Sequence, residues 1–451
     1  MNKIIRHYSI IYFYMAQNDL TGKFLFTELA EVLGKYDLLK TKYHDQDMIG
    51  RGLPTYETRH NMTYLNVAIE FIAPYGNNTY TECTHNIAIQ PYMGKIELKD
   101  LPVQPFVDLE NVDKFVLRGA RFKELTQKPT YVHANGYMYV PTWGGHKRLP
   151  LNSRIVVDTE GYKKYQEADQ WHNNKTMDTI PDDMCGFTLP CVPAYSFEYK
   201  RWGEVPVDCI TDIKFDETAF NRTVLTEDYK TLIKNLVLNF YKTDCCDFIA
   251  NKKRGLVFLL NGLPGVGKTL TAHGIAELSH RPLYTVSSGD VGTNPDEIDA
   301  NLHKIFEMVG NWGGIVLIDE ADVFMATRND YDINYNSCVS VFLRLVETYI
   351  GILFLTTNRH HSIDPAFDSR IHIRLHYKDL DEEGRGCVWN ESFNRYKIKN
   401  IDVDRLKVHK LNNREIANIV QLAYISTGGN PDLVTYELVK QFISLRQNFN
   451  Y

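Results

Sequence analysis

The stretch Gly262-Leu-Pro-Gly-Val-Gly-Lys-Thr269 follows the apolar run Gly255-Leu-Val-Phe-Leu-Leu-Asn261, and this junction decides the fold. A continuous apolar run reads as a strand buried on both faces of a parallel sheet. A glycine-rich loop after such a strand, closing on Lys-Thr at the start of a helix, is the context of a phosphate-binding loop. The glycines let backbone N–H groups turn toward a triphosphate with no Cβ in the way. Lys268 can reach the β- and γ-phosphates, and the Thr269 hydroxyl can ligate Mg²⁺. The helix starting near Lys268 presents its positive dipole end to the anion. Gly262, Leu263, Pro264, Gly265, Val266, Gly267, Lys268, Thr269 and Leu270 are accordingly the candidate nucleotide-binding residues.

A second apolar strand ends in acids: Ile315-Val-Leu-Ile-Asp-Glu-Ala-Asp322. Carboxylates at the tip of a buried strand need a reason. Asp319 is placed to hold Mg²⁺ through water, and Glu320 to orient and polarise the attacking water. A third strand, Gly351-Ile-Leu-Phe-Leu-Thr-Thr-Asn358, is tipped by an amide, which can hydrogen-bond both a γ-phosphate and the lytic water. Ser362-Ile-Asp-Pro-Ala-Phe-Asp-Ser-Arg370 reads as a short helix with Asp364 as cap and Pro365 at its first position. Arg370 ends it beside the strand Ile371 to His376, and a guanidinium there suits the transition-state charge of phosphoryl transfer, usually supplied from a neighbouring subunit.

Outward from these motifs, the chain of 451 residues is long enough for two or three domains. A net charge of −6 gives no general affinity for phosphate backbones. The eight cysteines form no C-x-x-C pair; Cys245 and Cys246 are adjacent and Cys185 and Cys191 are six apart, so all are read as reduced thiols of an intracellular, cytoplasmic or nuclear compartment. No apolar run is long enough for membrane insertion. The stretch Ile4 to Tyr14 is interrupted by Arg6, His7 and Ser9 and lacks a small-residue cleavage site, so a signal peptide is not expected, and Met15 offers an alternative start.

Residues 1–215 read as a β-rich α+β recognition domain, with 1–50 as a candidate separate extension. Strands are expected over Tyr64–Ile72, bounded by Pro74 and Gly76, and over Thr84–Gln90 and Arg154–Asp158, with a helix over Asn111–Thr126. Tyr131–Val140 reads as a hairpin turning at Asn135-Gly136. Gln166–Asp183 is polar and reads as a loop, and Gly186–Ile213 as a last β section whose aromatic residues suit a sheet face better than a base-stacking platform. Residues 216–254 form a helical linker with Leu232, Leu236 and Val237 on one face. Strands and helices alternate over 255–378, as in a parallel α/β sheet, and 379–451 carries three helical patterns that form a lid.

Taken together, these motifs resemble the AAA+ ATPases, and within them the AAA branch. Gly262–Thr269 looks like Walker A, Ile315–Asp322 like Walker B, Asn358 like sensor 1 and Arg370 like the arginine finger. Arg414, opening the helix at Asn413, lies where sensor 2 would reach back to the phosphates. The resemblance implies a P-loop NTPase core with a parallel five-stranded sheet and a C-terminal helical lid, ATP and Mg²⁺ as ligands, and a homo-oligomeric, hexameric ring. Segments such as Arg118-Gly-Ala-Arg-Phe122 and Tyr199–Asp208 are also similar to a poorly characterised AAA family abundant in filamentous fungi, which carries an uncharacterised domain before its ATPase core.

Two departures bear on function. Substrate-threading relatives carry an aromatic pore residue where this chain has the loop Ser288-Gly-Asp-Val-Gly-Thr-Asn294, which weakens a polypeptide-threading reading. His273 replaces an acidic residue common in the family's P-loop helix and reads as a solvated helix residue. The leading expectation is an oligomeric ATPase that remodels or disassembles a protein target. The alternative is a nucleic-acid-directed loader or replication accessory ATPase, supported by the likeness of Ser369-Arg370 to the clamp loaders' arginine box but opposed by the acidic charge.

Overall fold

The computed structural model describes residues 23–36, 38–59, 62–106, 112–166, 176–223, 225–242, 255–328, 333–358, 363–399 and 401–447. The readings made for the first fourteen residues, Met15, residues 167–175, Cys245-Cys246 and Ser362 lie outside them. The chain divides into two compact units, Met1–Ile213 and Lys214–Tyr451.

In the first unit the strands are β1 (Lys23–Phe24), β2 (Leu38–Tyr43), β3 (Gln46–Arg59), β4 (Met62–Gly76), β5 (Thr79–Ile89), β6 (Ile96–Glu97), β7 (Gln104–Pro105), β8 (Thr130–Thr142), β9 (Gly145–Val157), β10 (Thr176–Met177), β11 (Cys191–Ser196), β12 (Arg201–Pro206) and β13 (Ile210–Thr211). The helices are α1 (Leu29–Gly34), α2 (Val112–Thr126) and α3 (Thr159–Gln166). A six-stranded sheet has the order β10-β5-β4-β3-β2-β7, and a five-stranded sheet the order β12-β11-β9-β8-β13. β12 also bridges back to β8 at Glu204↔Tyr139, curling the second sheet on itself.

Alternating side chains from both sheets meet in one core, which includes Leu65, Val67 and Ile69 of β4 and Val132, Ala134 and Met138 of β8. The described part of the segment 1–50 is not set apart, because Leu29, Leu33, Leu39 and Met48 belong to that same core. The hairpin expected at Asn135-Gly136 is not there. β8 runs straight through both residues, with Gly136 opposite Leu151, and the turn falls between Thr142 and Gly145. Gly136 serves a close approach instead: a Cβ on it would stand 2.5 Å from Cys209 Sγ. Pro74 does not end its strand either, since β4 continues to Gly76 through a register shift.

The second unit carries α4 (Glu227–Phe240), β14 (Leu256–Gly262), α5 (Lys268–Ser279), β15 (Leu283–Val286), α6 (Ser288–Val291), α7 (Pro295–Asn311), β16 (Ile315–Ile318), α8 (Asp322–Met325), α9 (Ile333–Thr348), β17 (Ile352–Thr357), β18 (Ile373–Tyr377), α10 (Glu382–Arg395), α11 (Asn413–Ser426) and α12 (Tyr436–Gln447). Its five strands are all parallel, in the order β15-β16-β17-β14-β18. Leu256, Phe258 and Leu260 of β14, Ile315 and Leu317 of β16, and Ile352 and Phe354 of β17 share one core.

On α4 the buried pair is Ile233 and Val237, at i and i+4, while Leu232 is exposed, so the expected apolar stripe is rotated by one residue. Ser288–Val291 is a helical turn rather than an open loop, because Ser287 and Asp290 form a capping box. α10, α11 and α12 close a separate small core around Trp389, Ile416, Val420 and Ile443. Among the described residues no helix is long and apolar enough to cross a membrane, and Cys83, Cys185, Cys191, Cys209, Cys338 and Cys387 are free thiols.

Candidate functional site

In a parallel sheet, groups at the carboxyl ends of neighbouring strands converge on one crevice. β17 lies between β14 and β16, so the loop after β14, the acids after β16 and the amide after β17 open onto the same place. Gly262, Gly265 and Gly267 take φ of +156°, +79° and +104°. At Gly265 a Cβ would meet Asn412 Oδ1 at 2.7 Å, so both the backbone angle and the space demand glycine. Val266 is buried and anchors the loop, whereas Leu263, Pro264 and Leu270 face outward.

Lys268 opens α5 with its side chain buried. Its ammonium donates to Gly262 O at 2.8 Å, Leu263 O at 2.9 Å and Asn358 Oδ1 at 2.8 Å. Burial lowers its pKa, with Asp319 and Asp322 pulling the other way and Arg414 adding to the depression. Thr269 Oγ1 stands 3.3 Å from Asp319 Oδ1 and 3.4 Å from Oδ2. The backbone N–H of Asn358 reaches Asp322 Oδ1 at 3.3 Å.

Glu320 is exposed and sits at φ +54°, a left-handed angle that a non-glycine residue holds only where its surroundings impose it. Thr356 tethers this stretch of backbone. Its buried hydroxyl accepts the Glu320 N–H at 2.9 Å and donates to Asp319 Oδ1 at 2.5 Å. Reading the sequence alone passes over this residue, although a threonine pair at the tip of a core strand is a visible signal. It also passes over Asn412 and Asn413. Asn412 caps α11 by accepting the Glu415 N–H at 2.9 Å and packs on Gly265, and Asn413 Nδ2 lies 3.1 Å from where a Cβ of Gly267 would be.

Arg414 is exposed on the first turn of α11, near enough for its charge to act on Lys268. Arg370 makes none of these contacts. It donates to Glu347 Oε2 on α9 at 2.7 Å, to Ala366 O at 2.7 Å and to Ser369 Oγ at 3.2 Å. The cap expected at Asp364 is present, accepting the Ala366 N–H at 2.9 Å.

These residues fit a nucleotide and its cation. Gly262, Gly265 and Gly267 hold positive φ angles and leave no room for a Cβ against Tyr377, Asn412 and Asn413, the acceptors Asn261 Oδ1 and Asn413 Oδ1 are buried without a hydrogen-bond partner, and Thr269 with Asp319 offers the hard oxygen donors that Mg²⁺ prefers. Such a loop, set between a parallel strand and a helix with acids on the next strand but one, defines a P-loop nucleotide-binding domain. Residues 258–378 match the family described as "ATPase family associated with various cellular activities (AAA)", so the chain carries an AAA ATPase domain.

Relatives include the human ATPase family AAA domain-containing protein 3B, 31% identical over 142 residues, which are 30% of this chain and 22% of that protein. The human ATPase family AAA domain-containing protein 3A is 28% identical over 191 residues, 41% of this chain and 31% of its own. The mouse protein named nuclear valosin-containing protein-like is 29% identical over 167 residues, 35% and 19% of the two chains. The match thus spans less than a third of each of these relatives.

Proposed function

We propose that the chain hydrolyses ATP with Mg²⁺ as a homo-oligomer, a ring of six, and uses the cycle to remodel or disassemble a protein target. The observation that carries the reading is the meeting of Lys268 with Asn358 at 2.8 Å and of Thr269 with Asp319 at 3.3 Å, four polar groups from three strand ends that a structural role would not require together. ATP would take the Lys268 ammonium away from the carbonyls of Gly262 and Leu263 and onto its terminal phosphates. Bound Mg²⁺, held by Thr269 and Asp319, would neutralise charge between the β- and γ-phosphates. Asn358 would then position the lytic water while Glu320 polarises it, and Arg414 would complete the pocket from α11. Arg370 would act on the neighbouring protomer's nucleotide.

The β-rich unit would recognise the target, and the AAA domain with its helical lid would do the work. The acidic net charge of −6 favours a protein target over nucleic acid. The free thiols fit a reducing compartment, cytoplasmic or nuclear.

The test is Glu320→Gln, which should keep ATP binding yet abolish phosphate release and trap the complex on its substrate. A nuclease-resistant protein enriched with the variant over wild type supports remodelling. Nucleic acid enriched instead, and lost on nuclease treatment, would replace that reading. Undiminished hydrolysis would remove Glu320 from the mechanism.

A further inference from the structure

The first unit holds a second polar cluster, built from side chains far apart in sequence. β2 and β3 are joined by the two-residue turn His44-Asp45, whose φ angles are +47° and +60°. Positive φ at both central residues is the mark of a type I′ turn, where Asn-Gly would be the relaxed choice. Histidine and aspartate are among the few non-glycine residues that tolerate this region, so the turn is well formed and fixes where the His44 ring lies.

The turn sets the His44 ring against Tyr139 of β8, stacked at 4.3 Å and 15° between planes, and edge-on to His146 of β9 at 4.4 Å. Glu204 of β12 brings a buried carboxylate to the same point, with Oε2 3.1 Å from His44 Nε2. The ligating atoms of His44, His146 and Glu204 all lie within 4.8 Å of one another. The cluster joins the two sheets: His44 lies in the β2–β3 turn at the rim of the six-stranded one, and His146 and Glu204 lie in strands of the five-stranded one.

Two features set this cluster apart from an ordinary ion pair. His44 Nε2 is buried and has no hydrogen-bond partner, so the short approach to Glu204 lacks the alignment of an N–H···O bond. Among the described residues, moreover, His44 alone is in ion-pair range of Glu204, and it is charged only if protonated. A buried carboxylate with no permanent cation beside it calls for a compensating charge.

We propose that His44, His146 and Glu204 bind one divalent transition-metal ion, with Zn²⁺ the best match, leaving a fourth position for water. Two imidazole nitrogens and one carboxylate oxygen are a donor set that suits zinc and excludes Mg²⁺ and Ca²⁺, which favour oxygen alone. Two donors each about 2.1 Å from a zinc ion stand at most about 4.2 Å apart. The His44–Glu204 spacing of 3.1 Å falls inside that limit. The exposed His146, near the start of β9, can close the remaining gap by turning its ring. Supporting groups are in place, since the Tyr43 hydroxyl donates to Glu204 Oε2 at 2.9 Å and Tyr139 fixes the His44 ring from its face.

The experiment uses the full chain, purified with chelator and dialysed, in excess Mg²⁺ so that the nucleotide site does not report. Zinc chloride is titrated against a competing chromophoric chelator, and cobalt(II) chloride is added separately for its visible spectrum. Wild type should bind one tight Zn²⁺ per chain, melt at higher temperature with it, and give the cobalt spectrum of a four-coordinate nitrogen and oxygen site. H146A should lose about 100-fold or more in affinity and lose the metal-induced shift in melting, while its metal-free fold and melting match wild type. The control H303A, an exposed histidine on α7, should behave as wild type. Equal zinc affinity in wild type and H146A, thiolate-to-cobalt charge-transfer bands, or no tight binding at all would each overturn the proposal.

Discussion

Thr356→Val exchanges one hydroxyl for a methyl group of similar size, and it tests whether the strained acid at Glu320 is held in place by its neighbour. In wild type the hydroxyl makes a bond to the Asp319 carboxylate at 2.5 Å and accepts the Glu320 N–H at 2.9 Å. A hydrogen bond to a charged group contributes about 1.5–3 kcal/mol, and a neutral one about 1. Asp319 is only half-buried, so water recovers part of this, and a loss of about 2 kcal/mol in positioning is the working figure. At about 1.4 kcal/mol per tenfold, kcat should fall roughly 30-fold. Nucleotide affinity should change far less, because Lys268 and the glycine loop do not depend on Thr356. Phosphate release at saturating ATP gives kcat, and fluorescent-nucleotide titration gives binding. Thr356→Ser, which keeps the hydroxyl, should recover most of the rate. A valine variant that hydrolyses ATP at the wild-type rate, or a serine variant as slow as valine, would refute the reasoning.

Arg370→Ala should leave nucleotide binding within a few-fold of wild type but lower the ATPase rate by about 10³; an unchanged rate would show that Arg370 serves only its contacts with Glu347 and Ala366. Gly119→Ala should prevent the first unit from folding normally, because the new Cβ would stand 1.6 Å from the Cys185 carbonyl oxygen, a backbone atom that cannot step aside. Its soluble yield and melting curve decide the matter, and a wild-type melt would disprove that packing.

The buried Asp364 carboxylate is raised by burial but held net below the usual range by Arg328, at 2.8 Å, and by the N–H groups of Ala366 and Arg328. A depressed carboxyl stabilises the fold above its unfolded pKa and loses that contribution as pH falls through its folded value. Arg328→Ala should therefore destabilise at neutral pH by about 1 kcal/mol, Arg328 being half-exposed and screened. The difference should vanish in acid, where both proteins carry a protonated Asp364; thermal melts from neutral to low pH that stay parallel would contradict it.

What the sequence discloses is what its local patterns encode. β14, β16 and β17 are apolar runs ending in polar tips, and each is legible because a parallel strand buried on both faces has no other composition open to it. Local patterning fails where glycine or proline acts at long range. Gly50 and Gly52 sit inside β3 because a Cβ would strike Glu70 O at 2.2 Å and Leu39 Cδ1 at 2.0 Å, yet in sequence they look like breakers, and the β2–β3 hairpin goes unread. Asn135-Gly136 errs the other way, imitating a turn where the strand needs only room for Cys209.

The same distinction separates the two sites. The candidate nucleotide site is assembled from strand tips, so naming the strands nearly names the candidate residues, whereas Asn261, Thr356, Asn412 and Asn413, which pack at those tips, escape notice. The proposed metal site has no motif, because its three ligands come from a turn, the start of one strand and the middle of another. They meet only because β2 and β3 face the curled sheet in which Glu204 pairs with Tyr139. No spacing rule connects residues 44, 146 and 204, and each alone reads as an ordinary polar side chain of a β-rich domain. A ligand set of that kind depends on the whole unit being folded, so its metal would stabilise the native sheets and have no preformed site in the unfolded chain. Zinc should thus slow unfolding of wild type measurably and leave H146A untouched, a kinetic signature that metal on exposed thiols, equally available in both proteins, cannot produce.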